Sequence, residues 1–79
     1  MSNFERARLA AKAGKRIASK IIQREGRAVA FRFVDQLERT AATIAVTNRT
    51  DYSELTLADE MVCLARAAGA RSALANARR

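Results

Sequence analysis

The chain contains no proline and only three glycines, so almost nothing in it forces the backbone out of a helix once one has begun. Alanine, the strongest helix former, fills 18 of the 79 positions. The same alanines limit what a helical fold can bury. Without them, the apolar complement is six Leu, four Ile, four Val, three Phe, two Met, one Tyr and one Cys. A chain of under about 80 residues with so thin a core commonly gains stability from a partner, and we expect a homo-oligomer, a dimer before any other.

Apolar periodicity divides the chain into three helical segments. Placed at about 100° per residue, residues 4–27 gather Phe4, Ala7, Ala10, Ala11, Gly14, Ile17, Ala18, Ile21 and Ile22 on one arc. Arg8, Lys12, Lys15, Arg16, Lys20, Gln23, Arg24 and Arg27 fall on the opposite arc, with Leu9 as the one large apolar residue among them. Lys20, Arg24 and Gly26 have the pattern of a helix C-terminus, with cations near the negative end of the dipole and glycine as a left-handed cap. Residues 28–47 repeat the helical period, with Ala30, Phe31, Phe33, Val34, Leu37, Ala41, Ile44 and Ala45 inward. The β-branched run Thr43–Thr47 would also suit a strand, but no second strand of like quality exists to pair with it. Asn48–Tyr52 reads as a loop. Ser53 then caps a third helix, with Tyr52 and Leu57 at the spacing of a hydrophobic staple, and with Leu57, Ala58, Met61, Leu64, Ala65, Ala68 and Ala75 on its apolar side. The expected fold is all-α: one domain over residues 1–79, a small three-helix array of antiparallel neighbours, completed by a second copy packing on the alanine-lined faces.

Charge narrows the function. Fifteen Lys and Arg against eight Asp and Glu give +7, and the sign is uneven. Residues 1–34 hold nine basic and two acidic side chains, 35–60 hold two and six, and 61–79 hold four and none. An excess of this kind implies an anionic partner. The cationic arc of the first helix suits a string of phosphates, so we expect nucleic acid, duplex DNA above other forms, bound through Arg8, Lys12, Lys15, Arg16, Lys20, Arg24 and Arg27, with Arg71, Arg78 and Arg79 adding C-terminal contacts. A basic face kept only for solubility and a lipid-surface helix are the competing readings. The latter needs large apolar residues facing lipid, and this stripe is half alanine and glycine. A protein-interaction module, such as an inhibitor or adaptor of the kind mobile elements encode, would use the same arc against an acidic protein surface.

Residues 57–79 also carry a possible helix-turn-helix, in which Leu64, Ala65, Ala68 and Gly69 take the turn positions and Ser72 caps a second helix presenting Arg71, Asn76, Arg78 and Arg79. Ala70 stands where that motif wants a branched residue, and few residues follow. A single alanine-rich helix tolerating a glycine is the simpler reading.

Catalysis finds little support. No histidine is present, which removes the usual base near neutral pH and the commonest metal ligand. One cysteine allows no internal disulfide and no cysteine-cluster zinc site. Cys63 falls on the polar side of the third helix, beside Asp59, Glu60 and Arg66. The carboxylate pairs Asp35–Glu38 and Asp59–Glu60 have no partners for acid–base work and read as surface charge. No enzyme, cofactor or metal is expected. The phenylalanines are not interleaved with the basic run, so base stacking is not expected either. No stretch is long and apolar enough to span a membrane, and no secretory h-region is present. Residues 4–24 also have the amphipathic, Arg-rich character of a transit peptide, but their removal would leave about 50 residues, too few to fold comfortably alone. A cytoplasmic protein is the expectation.

Overall fold

The computed structural model describes residues 2–50 and 54–77. They form three helices, α1 (Asn3–Glu25), α2 (Arg27–Thr50) and α3 (Glu54–Asn76), with no strand among the described residues. Ser2 starts α1 from an extended backbone, its Oγ accepting from the Glu5 amide at 3.1 Å and placing the Glu5 carboxylate in the first turn, where the dipole favours it.

Gly26 alone joins α1 to α2. Its φ of 94° is positive as a glycine cap requires, but ψ is 172°, outside the left-handed helical region expected for it and in an area essentially restricted to glycine. The residue serves both helices. Its amide donates to the carbonyls of Ile21 and Ile22, and its carbonyl accepts from Ala30 in the first turn of α2.

α2 continues to Thr50, so Asn48 and Arg49 are helical rather than part of a loop. Asn48 Nδ2 donates to Glu60 Oε1 at 2.7 Å, tying this last turn to α3. The β-branched run is helical too. Thr40, Thr43 and Thr47 donate their hydroxyls to the carbonyls of Gln36, Arg39 and Thr43, four residues back, which satisfies these groups without a strand. The cap expected of Ser53 and the staple through Tyr52 lie outside the described residues.

α3 runs antiparallel to α2. Asn48 meets Glu60 at one end, Arg27 donates to the Leu74 carbonyl at the other, and the Glu38–Arg71 pair lies between. α3 runs in the same sense as α1, because Arg6 to Ala13 share a groove with Val62 and Arg66, whereas Lys15 to Gln23 share a cleft with Ala73 to Ala77. The result is an elongated, thin body with extents of 42 × 24 × 16 Å.

Small residues decide how α1 and α3 cross. A methyl built on Gly14 would stand 2.8 Å from the carbonyl carbon of Arg66 and closer still to its oxygen, and one on Gly69 would stand 2.7 Å from that of Ala11. Backbone therefore rests on backbone. Beside this crossing the three helices converge on Ala18, Ala30, Val34, Ala70, Ala73 and Leu74, with Ile21, Ile22 and Phe33 packed against them.

This packing corrects several inward assignments. Phe4 is 70% exposed, Ile17 38% and Phe31 54%. In α3 the error is larger. The buried positions are Ala58, Cys63, Ala67, Gly69, Ala70, Ala73 and Leu74, whereas Met61, Leu64, Ala68 and Ala75, read as core, face outward. Alanines surround α3, so its periodicity could not choose a side. Close approach chose the side with Gly69. Cys63, placed on the polar side by its neighbours, is buried and lies 3.1 Å from the Leu37 carbonyl as a donor. Of the alanine-lined faces expected to receive a second copy, that of α1 is packed within the chain at Ala10, Gly14 and Ala18, whereas that of α3 is buried at Ala58 and left exposed at Ala68 and Ala75.

Candidate nucleic-acid interface

Capped at Ser2 and closed at Gly26, α1 is uninterrupted, and this lays its cations in a row. Arg8, Lys12, Lys15, Arg16, Lys20 and Arg24 are all exposed. The sixteen residue steps from Arg8 to Arg24 extend about 24 Å at roughly 1.5 Å per residue. The opposite side of the helix, with Ala10, Gly14 and Ala18 buried, is pressed on its neighbours, so packing holds the cationic arc outward. None of the six is ion-paired among the described residues, where the pairs are Asp35–Arg39 and Glu38–Arg71. These charges repel one another, and the side chains gain by meeting an anion.

The other expected contacts divide. Arg27 opens α2 rather than ending α1, and its guanidinium donates to the Leu74 carbonyl, which satisfies one of the free carbonyls near the C-terminus of α3. Arg71 grips Glu38 in a two-point pair, Nε to Oε2 at 3.0 Å and Nη2 to Oε1 at 2.7 Å. Both are exposed but already partnered. Arg78 and Arg79 lie outside the described residues. The helix-turn-helix reading fails, because α3 passes through Gly69 without a break and presents no separate recognition helix.

Two features escaped the helical wheel. Arg6, one turn before Ala10, is exposed at the rim of a groove of about 340 Å³ that also holds Leu9, Ala13, Val62 and the half-buried Arg66. Farther along α1, a cleft of about 250 Å³ is bordered by Lys15, Ser19, Ile22, Gln23, Ala73, Asn76 and Ala77. Here Lys15 and Gln23 connect the cationic arc to small polar groups able to donate to or accept from a sugar or a base edge. Neither was legible beforehand, since both depend on where α3 crosses α1.

No group of three or more His, Cys, Asp or Glu among the described residues is placed to hold a metal ion, and no described helix is long and apolar enough to cross a membrane. No family model, curated protein or solved structure matches this chain.

Proposed function

We propose that this chain is a nucleic-acid-binding protein without enzymatic activity, regulatory or architectural in role and acting in the cytoplasm as a homodimer, that binds duplex DNA through the outer face of α1. The observation that carries this reading is the row of six exposed cations, from Arg8 to Arg24, on one continuous helix and without ion-pair partners among the described residues. Contacts of this kind read phosphate rather than sequence, so binding is expected to be broad and salt-sensitive.

Fluorescence anisotropy with labelled duplex DNA over a salt series tests it. If all six cations reach phosphates, log K falls against log salt with a slope of about −5, at roughly 0.9 per contact. The triple reversal Lys12→Glu, Arg16→Glu, Lys20→Glu removes three contacts, so the slope should flatten to about −3 or less and binding should be lost near physiological salt. All three residues are exposed, so helix content should not change. Failure to bind any duplex at about 50 mM salt would remove the proposal.

Leu9 favours a second reading. It is 52% exposed within the cationic arc, and an aliphatic side chain there gains nothing from phosphate but fits an apolar dimple on an acidic protein surface. An inhibitor or adaptor would be of this type. Leu9→Ser should leave DNA affinity within about twofold under the first reading and weaken capture of the protein partner under the second.

A further inference from the structure

We propose that α1 lies lengthwise in the major groove of B-form DNA, with phosphates on both sides of it and with Lys12 and Arg16 turned to the base edges. The inference rests on the duplex-binding reading above and names which part of the duplex receives the helix.

The row of cations winds around α1. Arg8, Lys12, Arg16, Lys20 and Arg24 fall at every fourth position, and each step advances about 6 Å along the axis and turns roughly 40° about it. Ala10, Gly14 and Ala18, all buried, mark the side of α1 that faces its neighbours. Measured from the line opposite them, at about 100° per residue, Lys12 and Arg16 stand within about 20° on either side. Arg8 and Lys15 are turned about 60–80° one way, Lys20 and Arg24 about 60–100° the other. All six are exposed, as are Leu9 and Gln23 between them, so half the circumference of α1 stands clear of the body. The acid on that half is Glu5, at the N-terminal end, which accepts from the Ser2 hydroxyl.

That spread decides among the surfaces a duplex offers. A single phosphate backbone laid along α1 could not meet both Arg8 and Arg24, which point about 160° apart. A concave site with phosphates on both flanks reaches all of them. The minor groove, about 6 Å wide, excludes a helix of about 10–12 Å with its side chains, whereas the major groove, about 12 Å wide and 8.5 Å deep, admits one. Seated there, Arg8 and Lys15 meet the phosphates of one strand, and Lys20 and Arg24 those of the other. Lys12 and Arg16 stand over the floor about 6 Å apart, close to two base steps of about 3.4 Å, where a cation takes the O6 and N7 acceptors of guanine. Leu9 and Gln23, near the ends of the row, fall where a straight helix departs from the curved floor. The groove adds a modest guanine preference to binding that is otherwise carried by phosphate. Double-stranded RNA is excluded, because its major groove is too deep and narrow to be read this way.

Anisotropy with a G·C-rich DNA duplex, the RNA duplex of the same sequence and a DNA duplex carrying 7-deazaguanine tests this. The parent chain should bind the RNA at least about tenfold more weakly and lose about tenfold on the 7-deazaguanine duplex, which lacks the N7 acceptor. In the complex, guanine N7 should be protected from dimethyl sulfate, and filling the minor groove with netropsin should leave the affinity unchanged. Lys12→Gln with Arg16→Gln should bind the guanine and 7-deazaguanine duplexes alike, whereas Arg8→Gln with Lys20→Gln should weaken every DNA duplex equally and reduce the salt slope by about 2. The parent-chain measurements decide the matter if a variant fails to fold. Failure to bind any duplex at about 50 mM salt overturns both the DNA reading and this placement. Equal affinity for DNA and RNA duplexes, unprotected N7, displacement by netropsin, or indifference to 7-deazaguanine overturns the placement alone and leaves the DNA reading standing.

Discussion

Replacing Gly14 with alanine sets two effects of opposite sign against each other. In the middle of a helix, alanine is better than glycine by about 1 kcal/mol, and on that ground the variant should be more stable. The added methyl, however, would meet the main chain of Arg66, 2.8 Å from its carbonyl carbon where ordinary contact begins at 3.4 Å. Main chain in mid-helix cannot swing aside as a side chain does. The two helices must part by roughly 0.6 Å to clear the carbon and by more to clear the oxygen, and a radial gap of about 0.5–1 Å forfeits a quarter to a half of the dispersion attraction across it. Ala10 and Ala18 on α1, and Ala67, Ala70 and Ala73 on α3, all lose contact together. Overpacking of this kind costs about 1–3 kcal/mol, and rigid main chain places it at the upper end. Subtracting the propensity gain leaves a net loss of about 2 kcal/mol, or a fall in Tm of roughly 8–16 °C for a domain of this size. Gly69→Ala should behave alike, because its methyl meets Ala11 at the same crossing. Once the first methyl has parted the helices, the second costs less, so the double variant should lose less than the sum of the two. Thermal and urea denaturation of the four chains measures this. A stabilised Gly14→Ala, or strictly additive losses, would refute the close crossing.

Two other expectations are smaller in scope. Gly26→Ala should destabilise by about 1–3 kcal/mol from backbone strain alone, since no atom lies within 4 Å of a methyl there; Gly26→Asn should fare no better, because asparagine tolerates the left-handed helical region but not the extended conformation seen here, and rescue by asparagine in a denaturant melt would contradict the geometry. Cys63 should resist an aromatic disulfide reagent in the native protein and react only as the chain unfolds, because its thiol is buried against the Leu37 carbonyl; rapid stoichiometric labelling without denaturant would count against that placement.

Comparing residues shows where sequence reasoning held and where it failed. The cationic arc of α1 was legible because charge and small apolar residues separate cleanly on that helix, and the structure leaves its seven expected cations exposed without ion-pair partners among the described residues, Arg27 alone being bonded to the Leu74 carbonyl of α3. In α3 the apolar residues do not separate from one another. Alanine is nearly neutral between core and surface, and no pattern told whether Leu64 or Leu74 pointed inward. Arg71 was equally undecidable, since its partner Glu38 is 33 positions away.

The sequence by itself determined that this chain is helical nearly throughout, where its first two helices fall to within a few residues, and that one helix carries a cationic face. Those properties follow from local propensity and periodicity, which act over a few turns. Only the tertiary structure decided which side of α3 is core, how Gly26 joins two helices in one residue, and which arginines remain free. Those outcomes depend on two backbones approaching at Gly14 and Gly69, through contacts of Gly14 with Arg66 and of Gly69 with Ala11, residues 52 and 58 positions apart whose requirement for hydrogen in place of a methyl shows only when the helices are side by side.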